Sequence, residues 1–384
     1  GILDGPNPAF LLAPGEFAEW AEGRSRLRMG DFNRHQRRAF GVLMENGRHI
    51  GGEWSYDTQN REGPPADRRP PPAWAPVEDD IDRGVRDDLD ALGVPTFGED
   101  GPRAFPATRG EALDLLGRFV AERLPDFGRW QDAMLRGERS MWHSLLAPAL
   151  NLGLLGPWEC IAAAERSLRD KTAPLAAVEG FVRQILGWRE FVRGLYEVER
   201  WTGRNALGAR SPLPALFWGG PTGMRCLADA LEGVRREGYG HHIERLMLFG
   251  NLMLLAGVHP EEAFDWFHAC FLDGHEWVMA PNVYGMALHA DGGVRASKPY
   301  AATGRYVERM SDHCTGCPSR PGARTGDRAC PFTVLYGDFL DRKRPRFGDH
   351  PRMALMVRHL DSIPPDEMRE IRARARALRR GFDA

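Results

Sequence analysis

Apolar residues return at helical spacing along most of the chain, and the breaks between these stretches set its organisation. Residues 15–48 carry Phe17, Trp20, Leu27, Phe32, Phe40 and Leu43 among many arginines, a loose helical pattern. From Gly51 to Pro76 the pattern collapses into Gly, Pro and charged residues, with Pro70-Pro71-Pro72 as a stiff piece, so this stretch reads as a long surface connection. Thr108 and Glu111 form a capping-box pair ahead of Leu113, Leu115, Leu116, Phe119 and Val120, which predicts a helix from residue 109. Further helices fit 174–199, through Val178, Phe181, Ile185, Trp188, Phe191 and Leu195, and then 241–256 and 260–272. The arginine-rich run from Arg369 to Arg380 reads as an exposed helix. Alternating strand patterns are scarce after residue 105, and no internal repeat is present. The expectation is a mainly α protein: a helix-plus-long-loop region over 1–105, then an all-helical domain over 106–384.

Composition narrows the class. With 42% apolar and 27% charged residues in 384, the chain can bury a large core, which excludes a disordered or collagen-like protein. Basic and acidic residues nearly cancel, 51 against 53, so any nucleic-acid contact must be a local patch. Lysine occurs only at Lys171, Lys298 and Lys343, leaving arginine to carry the positive charge. The longest apolar run, Leu246 to Val258, is too short to span a bilayer, and no signal peptide opens the sequence. A soluble, cytoplasmic, monomeric protein is expected. The opening Gly1-Ile2-Leu3-Asp4-Gly5-Pro6 suggests a chain that lacks upstream sequence.

Cysteines supply the first candidate chemistry. Cys314, Cys317 and Cys330 sit in a Gly-, Pro-, Arg- and Thr-rich segment that cannot bury much apolar surface by itself. Thiolate ligation of one metal centre would hold such a loop, with Cys226 at a helix start as the fourth ligand. Spacing leaves zinc, with His313 within reach, open beside a [4Fe–4S] cluster. Cys160 and Cys270, alone in helical patterns, read as small buried hydrophobes.

Several segments then point in one direction. Gly51-Gly52-Glu53-Trp54-Ser55-Tyr56-Asp57 with Asn60-Arg61, the run from His143 to Asn151, the run from Gln184 to Phe191, His241-His242-x-x-Arg245, and Asp273-Gly-His-Glu-Trp277 together resemble the iron–sulfur bacterial cryptochromes and photolyases, the prokaryotic (6-4) photolyase class. The resemblance covers almost the whole chain and includes the four-cysteine spacing. It implies a photolyase-type helical FAD-binding domain with a [4Fe–4S] cluster on Cys226, Cys314, Cys317 and Cys330. It also implies that the N-terminal α/β antenna domain is largely absent, with a lumazine-type antenna chromophore only where that domain is present. Ala147 stands where this superfamily usually has Ser, which removes one possible phosphate hydrogen bond.

Residue chemistry can be weighed beside that resemblance. His143 and Ser144, followed by backbone N–H groups at Leu145 and Leu146 leading into a helix, can hold phosphate oxygens, although an unliganded cap would look the same. Arg245 and Asp273 would each be costly to bury unpaired, so a buried Arg245–Asp273 pair is expected. The resemblance puts that pair beside the flavin ring and adds Gln184 and Arg189 to the cofactor set. Asn251, amid Phe249-Gly250 and Leu252-Met253, needs a hydrogen-bond partner, either flavin or backbone. Of the adjacent imidazoles His241 and His242, the second shares a helix face with Arg245 and is the favoured proton donor.

Trp218 and Trp266 match the family's proposed electron relay, and Tyr300, Lys298, Leu246 and Met286 its lesion-pocket lining. The implied reaction is light-driven repair of a (6-4) photoproduct flipped out of UV-damaged DNA, with an electron from reduced FAD, a proton from His242, and return of the electron. Arg61, Arg68, Arg69, Arg305 and 342–346 are the candidate phosphate contacts. Two rivals are a blue-light signalling cryptochrome with the same cofactors and a non-catalytic iron–sulfur nucleic-acid binding module related to large primase subunits.

Overall fold

In the computed structural model, residues 9–382 are described; the opening residues 1–6 discussed above lie outside that range. Thr108 caps the helix Arg109–Arg118 as its sequence predicts: its hydroxyl accepts the Glu111 N–H, and Glu111 reaches back to the Thr108 N–H. The helix runs on through a π turn, Phe119–Arg123, into Leu124–Trp130. The stretch expected over 174–199 is Leu175–Val182, a π turn Arg183–Arg189, and Glu190–Val198. The next two are a π turn Glu244–Gly250 leading into Asn251–Ala256, and Pro260–Cys270. A fourth π turn, Pro281–Ala287, continues Glu276–Ala280. Such turns insert a residue into the helical ladder and recur at functional sites. Three of the four here carry residues marked as candidates from sequence.

Among the described residues the strands are Met44–Glu45 and Arg48–His49, one short antiparallel hairpin, so the fold is mainly α as expected. Two apolar clusters organise it. One joins Val42, Leu43, Trp74 and Phe105 to Phe119, Phe127, Trp142, Phe181 and Leu186. The larger joins Phe17, Trp20 and Phe32 to Phe217, Phe249, Trp266, Tyr284, Phe332 and Ile371. The first hundred residues therefore do not stand apart. Helices Glu16–Ala21 and Met29–Phe40 pack on the Glu190–Val198 helix and on the Arg183–Arg189 turn. Gly194 makes the first contact possible, since a Cβ there would lie 2.0 Å from the Phe17 ring.

The connection over 51–76 is irregular apart from a 3-10 turn, Asp57–Gln59, but it is anchored. Buried Arg37 donates to the carbonyls of Val42, Leu43 and Trp54. Buried Arg123 donates to those of Met141, Pro71 and Pro72 and holds the proline run against the helical body. Each arginine satisfies several loop carbonyls that would otherwise be stranded.

Two elements differ from expectation. The C-terminal helix Pro365–Phe382 is not simply exposed: Met368, Ile371 and Ala375 are buried against Pro331–Arg342, with Arg372 on Asp341 and Arg379 on Asp338. Its arginine count hides an apolar stripe that needs a partner. The second is a helix, Asp80–Leu92, capped by an Asp79–Asp82 box within the region treated as linker. No described helix is long and apolar enough to cross a membrane.

Candidate functional site

The segment from His143 to Asn151 begins in strain. Leu145 holds φ at 60°, in the left-handed region that a branched side chain rarely enters, a cost of order 1–3 kcal/mol that surrounding contacts must impose. The helix that follows, Ala147–Asn151, is only five residues long and offers little end-on potential. Ser144 Oγ accepts the Leu146 N–H at 3.4 Å, a local cap. His143 is buried with its Nε2 unpartnered. Phosphate binding here would rest on these side chains and the strained turn, more than on a helix field. Ala147, at the position usually Ser, is exposed.

His143 meets the paired histidines across the chain. Its ring stacks on His241, centroids 4.8 Å apart and planes at 21°, and meets the edge of His242 at 5.2 Å. His241 is buried, and neither of its ring nitrogens has a hydrogen bond. Burial first, and neighbouring imidazoles second, hold both His143 and His241 well below the usual histidine pKa, so both rings are neutral near pH 7. His242 differs: its side chain is 52% exposed, and its Nε2 lies 3.2 Å from Asp132 Oδ1. A carboxylate at that distance fixes the orientation of the ring.

The expected Arg245–Asp273 pair is present. Nη1 lies 2.8 Å from Oδ1, with side chains 18% and 14% exposed. Arg245 Nε donates to the Gly240 carbonyl at 2.6 Å, and the guanidinium covers the Phe271 ring at 4.2 Å. Glu244, one residue earlier and buried, is pushed up to about 8 by desolvation and is neutral near pH 7. Leu246 on the same turn is half-buried. That turn packs on Pro281–Ala287, which carries half-buried Met286.

Two candidate cofactor residues lie in specific protein contacts. Asn251 makes a two-way pair with backbone, Nδ2 to the Ala302 carbonyl and Oδ1 from the Ala302 N–H, each 3.0 Å. Of the two partners open in the sequence, backbone is the one found, and the Asn fixes the segment that follows Tyr300. Arg189 donates to the Ala9 carbonyl and to Asn151 Oδ1 at 3.3 Å, and Phe10 lies over it at 4.3 Å. Burial lowers its pKa to about 10. Gln184, half-buried, shares its turn. Glu190 accepts the Leu11 and Leu12 N–H groups at 3.1 and 3.2 Å and is pushed up to about 6 by burial.

Trp266 is fully buried, ringed by Phe217, Phe249, Phe267 and Phe271, with Nε1 on the Phe217 carbonyl at 2.8 Å. Trp218 is 51% exposed and packs edge-on to Phe97. The two therefore mark an inner and an outer position, joined through Phe217. Tyr300 is exposed and Lys298 half-buried, with the lysine's pKa lowered by burial and by Arg352. Most arginines proposed for phosphate contact already face carboxylates: Arg61 on Asp57, Arg68 on Asp126, Arg305 on Glu308, Arg342 on Asp338 and Arg344 on Asp361.

Sequence reasoning missed two residues here. Asp132, partner of His242, follows a helix end and carries no motif. Arg295 lies over the Trp188 ring at 4.5 Å, with Nη2 on Asn282 Oδ1 at 2.9 Å and with buried Nε and Nη1 unpartnered. The Gly292-Gly293 pair just before it was the available signal of a shaped loop.

The four cysteines converge. Cys226 lies in the first turn of Arg225–Glu237, Cys330 caps Pro331–Arg342, and the thiols of Cys314, Cys317 and Cys330 all act on that of Cys226. Burial and these neighbours push Cys314 up to about 12 and raise Cys226 and Cys330 too. Gly304 allows the approach, because a Cβ there would lie 2.7 Å from Cys330 Sγ. Cys160 and Cys270 are buried elsewhere, as expected.

The body is helical, with the Glu244–Gly250 turn packed on Pro281–Ala287 and carrying the arginine of an Arg–Asp pair, next to stacked imidazoles. Over 378 residues the chain is 41% identical to the (6-4) photolyase of Agrobacterium fabrum (strain C58 / ATCC 33970), an alignment spanning 97% of this chain and 74% of that protein. Residues 4–105 match the family described as deoxyribodipyrimidine photo-lyase-related protein. Among solved structures, a bacterial class III photolyase from Agrobacterium tumefaciens aligns with TM-score 0.45 at 19% identity, covering 71% of this chain and 56% of that one. The Synechocystis sp. PCC6803 cryptochrome aligns at 0.43 and 15%, covering 72% and 51%. The chain thus spans about half the length of those two solved proteins. It belongs to the photolyase–cryptochrome family.

Proposed function

We propose that this protein is a DNA (6-4) photolyase that repairs UV-damaged DNA with light, using FAD and a [4Fe–4S] cluster. The observation that carries this reading is the rim position of His242: open to solvent, oriented by Asp132, and backed by two neutral buried imidazoles. FAD, once bound and reduced, supplies the photo-excited electron. The residues fit such a group, because Arg295 Nε and Nη1 are buried donors without protein partners, the condition a diphosphate or a polar ring edge would relieve. Arg245, pinned by Asp273 and Gly240, offers an oriented cation to the ring edge. Arg189 would act from the end of the Arg183–Arg189 turn, where it is bonded to Asn151 of the Ala147–Asn151 helix.

His242 holds and returns the proton at the lesion, since its exposed ring, oriented by Asp132, can come within hydrogen-bond reach of a flipped base. Leu246, Met286, Lys298 and Tyr300 line the pocket for the flipped bases, and Trp218 conducts electrons inward toward Trp266. A cluster would be held by Cys226, Cys314, Cys317 and Cys330, whose thiols act on one another across two helix starts and the loop between them.

The deciding experiment is repair of a (6-4)-containing oligonucleotide under blue light. Wild type should restore the undamaged bases, and His242→Ala should lose that activity while keeping its flavin spectrum. A protein that retains flavin and cluster absorbance yet repairs nothing would overturn the reading in favour of signalling. A colourless protein would remove both cofactors from it.

A further inference from the structure

From the geometry of three histidines we propose that His143, His241 and His242 form a binding site for a borderline divalent transition-metal ion, of which Zn²⁺ is the representative. The ligand nitrogens of the three rings all lie within 4.8 Å of one another. Two of the rings are more than nine-tenths buried and hold nitrogens without a hydrogen bond: Nε2 of His143, and Nδ1 and Nε2 of His241. Unpartnered buried nitrogens are costly, and a cation taking their lone pairs removes that cost.

Zinc–imidazole bonds of about 2.0–2.1 Å put neighbouring nitrogens roughly 3.4 Å apart, so the rings must close by about an ångström. His242 can supply most of that movement, because its side chain is half-exposed while the other two are packed. A fourth ligand is at hand. Asp132 Oδ1, now 3.2 Å from His242 Nε2, can swing onto the metal and complete a tetrahedron of three nitrogens and one oxygen. Glu244 Oε1 lies 3.7 Å from His241 Nε2, close enough that the small ring movement metal binding requires could bring the two into a hydrogen bond.

The choice of ion follows from the ligands. Three imidazoles favour Zn²⁺, Cu²⁺, Ni²⁺ or Co²⁺ over Mg²⁺ or Ca²⁺, which take oxygen donors. The rings need no deprotonation near pH 7 in the two buried cases, because burial already keeps them neutral. The site is separate from the thiol corner, whose ligands come from other elements of the fold.

The consequence for activity rests on the repair reading above. A His242 nitrogen that binds metal cannot carry the transferred proton, so an occupied site is an inhibited enzyme, and a chelator restores it.

The test uses holoprotein with flavin and cluster in place. Co²⁺ is titrated in by calorimetry, and its site is read by low-temperature EPR, with displacement by Zn²⁺. One Co²⁺ per chain is expected, weakened by at least about 100-fold in His242→Ala and in His143→Ala, since loss of a ligand exceeds loss of an outer partner. His242 is exposed, so its variant keeps the test valid should the His143 variant fold poorly. No binding at millimolar Co²⁺, or equal binding by wild type and both variants, would overturn the proposal. Zn²⁺ should then inhibit repair in proportion to occupancy. Occupancy without inhibition leaves the metal site standing and counts against His242 as proton donor, so the two readings fail separately.

Discussion

Replacing Asp273 by Asn tests the reasoning about the Arg245 pair most directly. The substitution keeps volume and one carbonyl oxygen and removes the charge that faces Arg245 Nη1 at 2.8 Å. Removing one partner of a fully buried pair costs about 3–5 kcal/mol, because the remaining charge is left uncompensated. Here the side chains retain 18% and 14% exposure, and Arg245 keeps its 2.6 Å bond to the Gly240 carbonyl and its place over Phe271. Those anchors reduce the expected cost to about 2–3 kcal/mol. Urea unfolding followed by far-UV circular dichroism on wild type, Asp273→Asn, Arg245→Met and the double variant would measure it. The double variant should be more stable than the sum of the single losses implies, because it leaves no orphan charge. A loss under about 0.5 kcal/mol in Asp273→Asn, the size of an ordinary surface substitution, would refute the argument.

Three further outcomes are expected. The folded-state pKa values of His143 and His241 are depressed, so the unfolded chain binds more protons below about pH 6.5; stability should fall by up to about 1.4 kcal/mol for each histidine over the whole span from pH 7.5 to 5.5, and His143→Gln should reduce that loss in urea midpoints taken across it. Gly194→Ala drives a methyl to 2.0 Å from the Phe17 ring and should cost at least about 2 kcal/mol by the same assay, against near neutrality for Gly117→Ala, where the space is open. Trp266→Phe gives up the bond to the Phe217 carbonyl and part of a sealed core, about 2–3 kcal/mol, whereas Trp218→Phe at the surface should stay within about 0.5 kcal/mol in thermal melts.

Helix positions were legible because burial on one side of a helix writes itself into residue spacing. Thr108 to Glu111 marked a start, and 174–199 and 241–256 were located to within about two residues. The π turns inside them were not, since one extra residue in a ladder leaves the apolar period almost unchanged. Asp80–Leu92 escaped for a different reason. Its apolar residues Ile81, Val85, Leu89 and Leu92 do fall on one face, but all four remain exposed, and Pro- and Gly-rich flanks drew that region into the linker. The Arg245–Asp273 pair was foreseeable from cost alone, because neither charge tolerates burial by itself. Asp132 was not, because 110 residues separate it from His242 and nothing local requires it.

The sequence by itself determined the helical class, the clustering of thiols and the kind of chemistry, since periodicity, spacing and motif are properties of neighbours along the chain. Tertiary structure decided which of two partners Asn251 takes, that His143 stacks on His241, and that two arginines hold the proline-rich connection to the body. Those outcomes depend on which buried donors and acceptors meet across long separations. Folding settles that by pairing most of the polar groups it buries, whatever their separation along the chain.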